Sequence, residues 1–192
     1  MKALLSVVVL ALSVNAFAGT DLCVVNFNQK GSAVNWTAFK TPKKVGVKAS
    51  FTDFTISTKK SVTVEELLSS ASFEINSKKI ESGDKARDLK IFNFFFKTMV
   101  KGTKITGKVV KVNADKVDVE LTLNGTTKTV VMTSKYDEKK GLLTLNGAVD
   151  VLEFGMKDNL AAITKACYEK HEGVTWPDVQ IELVASVTKS CK

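Results

Sequence analysis

The chain has 192 residues, 44% hydrophobic and 25% charged, with two prolines and eleven glycines, which excludes a disordered or collagen-like protein and fits one globular domain. Its one histidine, His171, excludes any zinc site built on two or more histidines and leaves histidine-dependent catalysis to that side chain alone. The formal charge of +8 raises nucleic acid and anionic membrane surfaces as partners. The lysines, however, come in pairs between apolar stretches (Lys43-Lys44, Lys59-Lys60, Lys78-Lys79, Lys139-Lys140), and Arg87 is the only arginine. That pattern argues for a solvated basic surface and against nucleic acid, while leaving room for transient contact with a membrane surface.

Met1-Lys2, the apolar run Ala3–Val14 and Ala16-Phe17-Ala18 form a positive start, a hydrophobic segment and a small-x-small cleavage site. They predict a signal peptide over residues 1–18 and a mature chain from Gly19. The run is too short to cross a bilayer as a helix. Thr20-Asp21-Leu22 lacks the small residue before Cys23 that lipoprotein processing requires. The expected location is therefore the periplasm, with the extracellular space as the alternative, and Cys23, Cys167 and Cys191 then meet an oxidising compartment.

Beyond this leader, strand periodicity dominates. Val34, Trp36 and Ala38 alternate with Asn35 and Thr37, as a half-buried strand requires. The same period of two returns at Val45–Phe51, at Phe73 and Ile75, at Val117–Leu123, at Val130–Thr133, at Leu143–Leu145 and at Val179–Ala185. Asn113–Lys116, Asn124-Gly125 and Asp137–Gly141 carry the residues that tight reversals prefer. Thr63–Leu68, with an N-capping threonine and two glutamates, predicts one or two helical turns. Lys85–Phe96 is expected to be partly helical, and Asp158–Lys170 is a clearer helix with Leu160, Ile163 and Cys167 on one face. Pro177 is expected just before the last strand.

The sum is an all-β domain over residues 19–192 with about eight antiparallel strands and two or three short helices. Burying one face of each strand leaves a sandwich or a closed barrel, and eight strands can enclose either packed side chains or one small ligand. In such a barrel the first and last strands lie side by side, so Cys23 and Cys191 can approach the Cα separation of about 5.5 Å that a disulfide needs. That pairing is expected, with Cys167 unpaired; a Cys23–Cys167 bond is the alternative.

Several segments in order resemble the YceI-like family of exported lipocalin-like proteins. They are Ser32-Ala33-Val34-Asn35-Trp36 with Gly46–Phe51, Arg87-Asp88-Leu89 leading to Phe94-Phe95-Phe96, and Leu121–Val130 with its Gly-Thr-Thr-Lys turn. Val149–Met156 and the closing strand Val179–Leu183 complete the series. Val151 stands where the family usually has arginine, and Glu153 where it has aspartate. The resemblance implies an eight-stranded antiparallel barrel whose apolar interior holds a polyisoprenoid, an isoprenoid quinone or a similar amphiphile, with no cofactor required and no enzymatic role.

An apolar chain needs apolar walls. The candidates on strands are Trp36, Val47, Phe51, Phe73, Ile75, Val119, Leu121 and Ile181, and those elsewhere are Phe92, Phe95, Phe96 and Phe154; each is equally explained as core. His171, between Lys170 and Glu172, reads as a solvated cap. Glu81, Asp84 and Asp88 read as groups that cap or bridge the short helix beside Arg87. With scarcely a charge on the inward positions, little selectivity for a ligand's head group is expected. The competing reading is a structural or interaction protein of the envelope whose barrel is filled by its own side chains.

Overall fold

A computed structural model describes residues 23–191; the expected signal peptide and the cleavage point before Gly19 lie outside the described residues. Ten strands form one curled antiparallel sheet: β1 (Cys23–Lys40), β2 (Val45–Phe51), β3 (Phe54–Ser57), β4 (Ser72–Asn76), β5 (Ile80–Glu81), β6 (Lys104–Asn113), β7 (Lys116–Leu123), β8 (Thr126–Asp137), β9 (Leu142–Asp150) and β10 (Thr175–Cys191). From β6 to β10 the sheet is a meander of consecutive neighbours, and β10 then pairs with β1.

The expected eight-stranded closed ladder is corrected here. The sheet has ten strands in the order β3-β4-β6-β7-β8-β9-β10-β1-β2-β5, with β3 and β5 at its two ends. The extra strands arise where two chain segments bend. Thr52-Asp53 separates β2 from β3, residues 77–79 separate β4 from β5, and so β2 pairs with β5 while β3 pairs with β4. Across this gap the backbone bonds Thr52 N–H to Lys79 O (2.9 Å) and Asn76 N–H to Asp53 O (2.9 Å) replace a continuous ladder. Gln29 braces the same side of the sheet: its side-chain amide donates to Phe54 O and accepts from Ile56 N–H at 3.0 and 3.2 Å, standing in for a strand partner of β3.

The local reasons are readable. Strand β7 buries Val117, Val119, Leu121 and Leu123 and leaves the residues between them partly exposed, as alternation demands. Asn124 and Gly125, at φ 54° and 79°, make the two-residue reversal into β8 that a right-twisted hairpin favours. In β6, Gly107 faces Phe73 across the ladder. A Cβ on Gly107 would come within 2.3 Å of the Phe73 ring, so glycine there lets the ring lie against the strand.

Helix α1 (Val64–Ser69) is capped by Thr63, whose hydroxyl accepts from Glu66 N–H at 3.1 Å, and it buries Leu67 and Leu68. Helix α2 (Lys85–Ile91) runs into a π-helical turn at Phe92–Phe96, where Lys97 N–H donates to Phe92 O at 2.8 Å. A 3-10 turn (Val151–Phe154) follows β9, and α3 (Lys157–Ala166) and α4 (Tyr168–His171) precede β10. Pro177 lies inside β10 rather than before it. It falls at the register shift between Ala38 and Lys40 of the partner strand, a bulge that tolerates a missing N–H donor.

Cys23 and Cys191 face each other in the β1/β10 register and form the disulfide, with Cα atoms 3.9 Å apart, while Cys167 is free.

Candidate functional site

The curled sheet does not fill its interior. A cavity of about 440 Å³ runs through it, within the range of small-molecule sites. Leu68 of α1 and Val119, Met132 and Leu145 of the meander are among its buried lining residues. The walls are apolar residues of β1, β2, β4 and β10, and the π-helical turn adds two consecutive aromatics, Phe95 and Phe96. These two rings meet edge to face with centroids 5.1 Å apart, and Phe96 meets Phe51 at 5.6 Å.

Ten of the twelve candidates read from the sequence stand on this wall: Trp36, Val47, Phe51, Phe73, Ile75, Phe95, Phe96, Val119, Leu121 and Ile181. Phe92 and Phe154 do not. Phe92 packs half-buried against the core from outside the cavity, and Phe154, at 1% exposure, is core beneath the 3-10 turn. Val151 is also on the wall and buried, so the position where the family usually has arginine presents an apolar surface.

The outer end is different in kind, and the strand periods give no hint of it. Lys40 at the end of β1, Arg87 and Lys90 on α2, and Lys170 and His171 on α4 line the cavity beside Trp176. Against these four permanent cations the lining contains one carboxylate, Asp84. Asp84 is engaged as the cap of α2, accepting from Arg87 N–H at 3.0 Å, and that bond, first among its causes, lowers its pKa from the ordinary value. Among the described residues none of the four cations is within ion-pair distance of a carboxylate. Arg87 is held in place by donating through Nε to Ser82 Oγ at 2.8 Å and through its terminal nitrogen to Ser82 O at 2.6 Å. Asp88 accepts from Ser82 N–H at 3.0 Å, so the acidic residues around Arg87 do fasten α2 to the sheet.

His171 is half-buried at this mouth, not a solvated cap, and its Nδ1 is hydrogen-bonded to Thr175 Oγ1 at 2.8 Å. Burial, followed by the charges of Lys40 and Lys90, pushes its pKa below the ordinary 6.5. The available signal for the rim is the three-residue spacing of Arg87 and Lys90, which puts both on one helical face. Nothing in the sequence, though, says that α2 and α4 converge on the same opening. Among the described residues no group of three or more potential metal ligands occurs.

The YceI-like domain profile matches residues 26–187. The chain belongs to the YceI-like family. Solved structures share its fold, among them the following two. BcnA of Burkholderia cenocepacia is 17% identical, with a TM-score of 0.58 over 85% of this chain and 99% of the other. A polyisoprenoid-binding domain from Saccharophagus degradans, implicated in plant cell wall breakdown, is 11% identical, with a TM-score of 0.60 over 90% and 100%. No curated protein sequence matches this YceI-like protein closely enough to count as a relative.

Proposed function

We propose that this YceI-like protein is an exported, non-enzymatic binding protein that sequesters or carries one long apolar chain, such as a polyisoprenoid or the tail of an isoprenoid quinone, inside its sheet. The observation that carries this reading is the continuous, almost wholly apolar cavity of about 440 Å³. A barrel acting only as an interaction surface would have no use for an unfilled interior, because an unfilled apolar void costs stability. Burial of apolar area contributes roughly 25 cal/mol per Å², so a chain covering several hundred Å² can be held without a specific hydrogen bond once its ordering cost is subtracted. A family fold shared with a polyisoprenoid-binding domain supports the ligand class, and the Cys23–Cys191 bond suits an oxidising compartment.

Organic extraction of protein purified from its native envelope, followed by mass spectrometry, should release a lipid in near-stoichiometric amount. The Phe95→Trp variant adds bulk at the wall. It should keep the wild-type far-UV circular dichroism while weakening displacement of a fluorescent lipid probe at least about tenfold. Empty native protein that takes up no long-chain compound would refute the proposal.

A further inference from the structure

The cavity's chemistry changes abruptly along its length, and the change specifies the ligand's other end. A chain lying against Val119 and Phe95 must bring its polar terminus out between β1, α2 and α4, where Lys40, Arg87, Lys90 and Lys170 line the opening. These cations come from three separate elements, yet they share one rim and lack carboxylate partners among the described residues. Lys90 is steadied there by donating to the Ala166 carbonyl at 3.3 Å. Other surface lysines, such as Lys111 and Lys128, also lack an ion-pair partner among the described residues; what sets the rim cations apart is that they converge on one apolar opening. Unpaired cations beside an apolar, low-dielectric wall attract an anion more strongly than the same charges facing bulk water. They also repel one another until one arrives.

Resting on the chain-binding reading above, we infer that the ligand is an anionic amphiphile, whose carboxylate or phosphate sits at the mouth between Lys40, Lys90 and Lys170 while its chain fills the cavity. The low head-group selectivity expected from the strand pattern concerns the interior, and the rim adds a preference of its own. The lowered pKa of His171, caused in part by Lys40 and Lys90, is a second sign of the positive potential there. Arg87, already committed to Ser82, contributes charge rather than a free fork of donors.

Chain-matched pairs test the inference: tetradecanoic acid against 1-tetradecanol, and farnesyl phosphate against farnesol, each displacing a fluorescent lipid from the delipidated protein. At low salt at least one anion should bind about tenfold more tightly than its alcohol, and the gap should shrink as salt is raised. Preference in the acid pair alone identifies a carboxylate source, in the phosphate pair alone a phosphate source, and in both a general anion site. The combined variant Lys40→Gln, Lys90→Gln, Lys170→Gln should bring the anion-to-alcohol ratio close to one. The charge-matched variant Lys111→Gln, Lys128→Gln, Lys139→Gln, on exposed positions away from the cavity, should keep it. Cys167, which also lines the cavity, supplies a local readout, since a seated anion should slow its alkylation in wild-type protein. Equal binding of acid and alcohol, or a preference that survives in the rim variant, overturns the head-group assignment and leaves chain binding intact. Binding of neither member of either pair overturns both.

Discussion

His171 shows how a single residue's setting departs from its sequence neighbourhood. Between Lys170 and Glu172 it has the look of a surface cap, yet the fold half-buries it against Thr175 and near two lysines. Burial, first, and the two positive charges, second, disfavour its protonated form, so its folded pKa lies below the ordinary 6.5. The unfolded chain therefore takes up the proton more readily. The stability tied to a neutral His171 is present above the unfolded value and is lost as the pH falls through it toward the folded value. His171→Gln removes that dependence. In melts between about pH 7.5 and 5.5 the wild type should lose stability relative to the variant; a difference that stays constant with pH would count against this account. Trp36 and Phe95 lie at the legible extreme, because an aromatic at an inward strand position, or beside a short helix in a β-rich chain, has few places to go except the interior. The rim lysines lie at the other extreme, since a lysine's sequence context does not encode which opening its ammonium overlooks.

At the scale of elements, local signals suffice where the period is uninterrupted and fail where a bulge or bend breaks it. Strand β7 alternates cleanly and is legible in full. Strand β6 is not, because a register shift between Val109 and Lys111 carries Val110 outward, and Gly107 replaces an inward side chain. Strands β3 and β5, with four and two residues, are too short to show any period. Helix α1 is legible from its cap, and the cap is stronger than a single bond. Thr63 accepts from Glu66 N–H while Glu66 accepts in turn from Val62 N–H at 3.1 Å, a reciprocal arrangement close to a capping box. Thr63→Ala should cost about 1 kcal/mol, seen as a fall of about 2–4 °C in Tm for a protein of this size. Because Leu68 of α1 lines the cavity, the same variant should also lower the affinity for a bound apolar chain. An unchanged Tm would mean that packing of Leu67 and Leu68 holds the helix without its cap.

Across the whole molecule, the adjacency of first and last strands is the inference that reaches furthest, since it places Cys23 against Cys191 whatever the number of strands between them. The number itself is not readable. Whether bent chain segments count as two strands or four depends on Thr52-Asp53 and residues 77–79, where backbone and polar groups make bonds across a gap instead of extending a ladder. The disulfide closes a loop with a sequence separation of 168, and a cross-link of that span restricts the unfolded chain strongly. Replacing both cysteines by serine should lower the unfolding free energy by about 2–5 kcal/mol. Denaturant titrations, with Cys167→Ser in both proteins to prevent thiol exchange, measure this directly. An unaltered midpoint would show that the β1/β10 ladder alone fixes the two ends.

That ladder also sets an order of events during folding. The second half of β1 can find β2 almost at once, because only a short turn separates them and their register runs from Val34 opposite Phe51 to Lys40 opposite Val45. The first part of β1, residues 23–28, has a ladder partner only late in the chain: among the described residues it pairs with the far end of β10, and Val25 also makes an isolated bridge to Ser61. Pairing between segments so distant in the chain carries the largest loop-closure cost and comes late. A folding chain must therefore carry a half-paired strand and an unbonded Cys23 until β10 has docked, so the interval in which this protein is most exposed to wrong pairing is set by the time β10 takes to find its place.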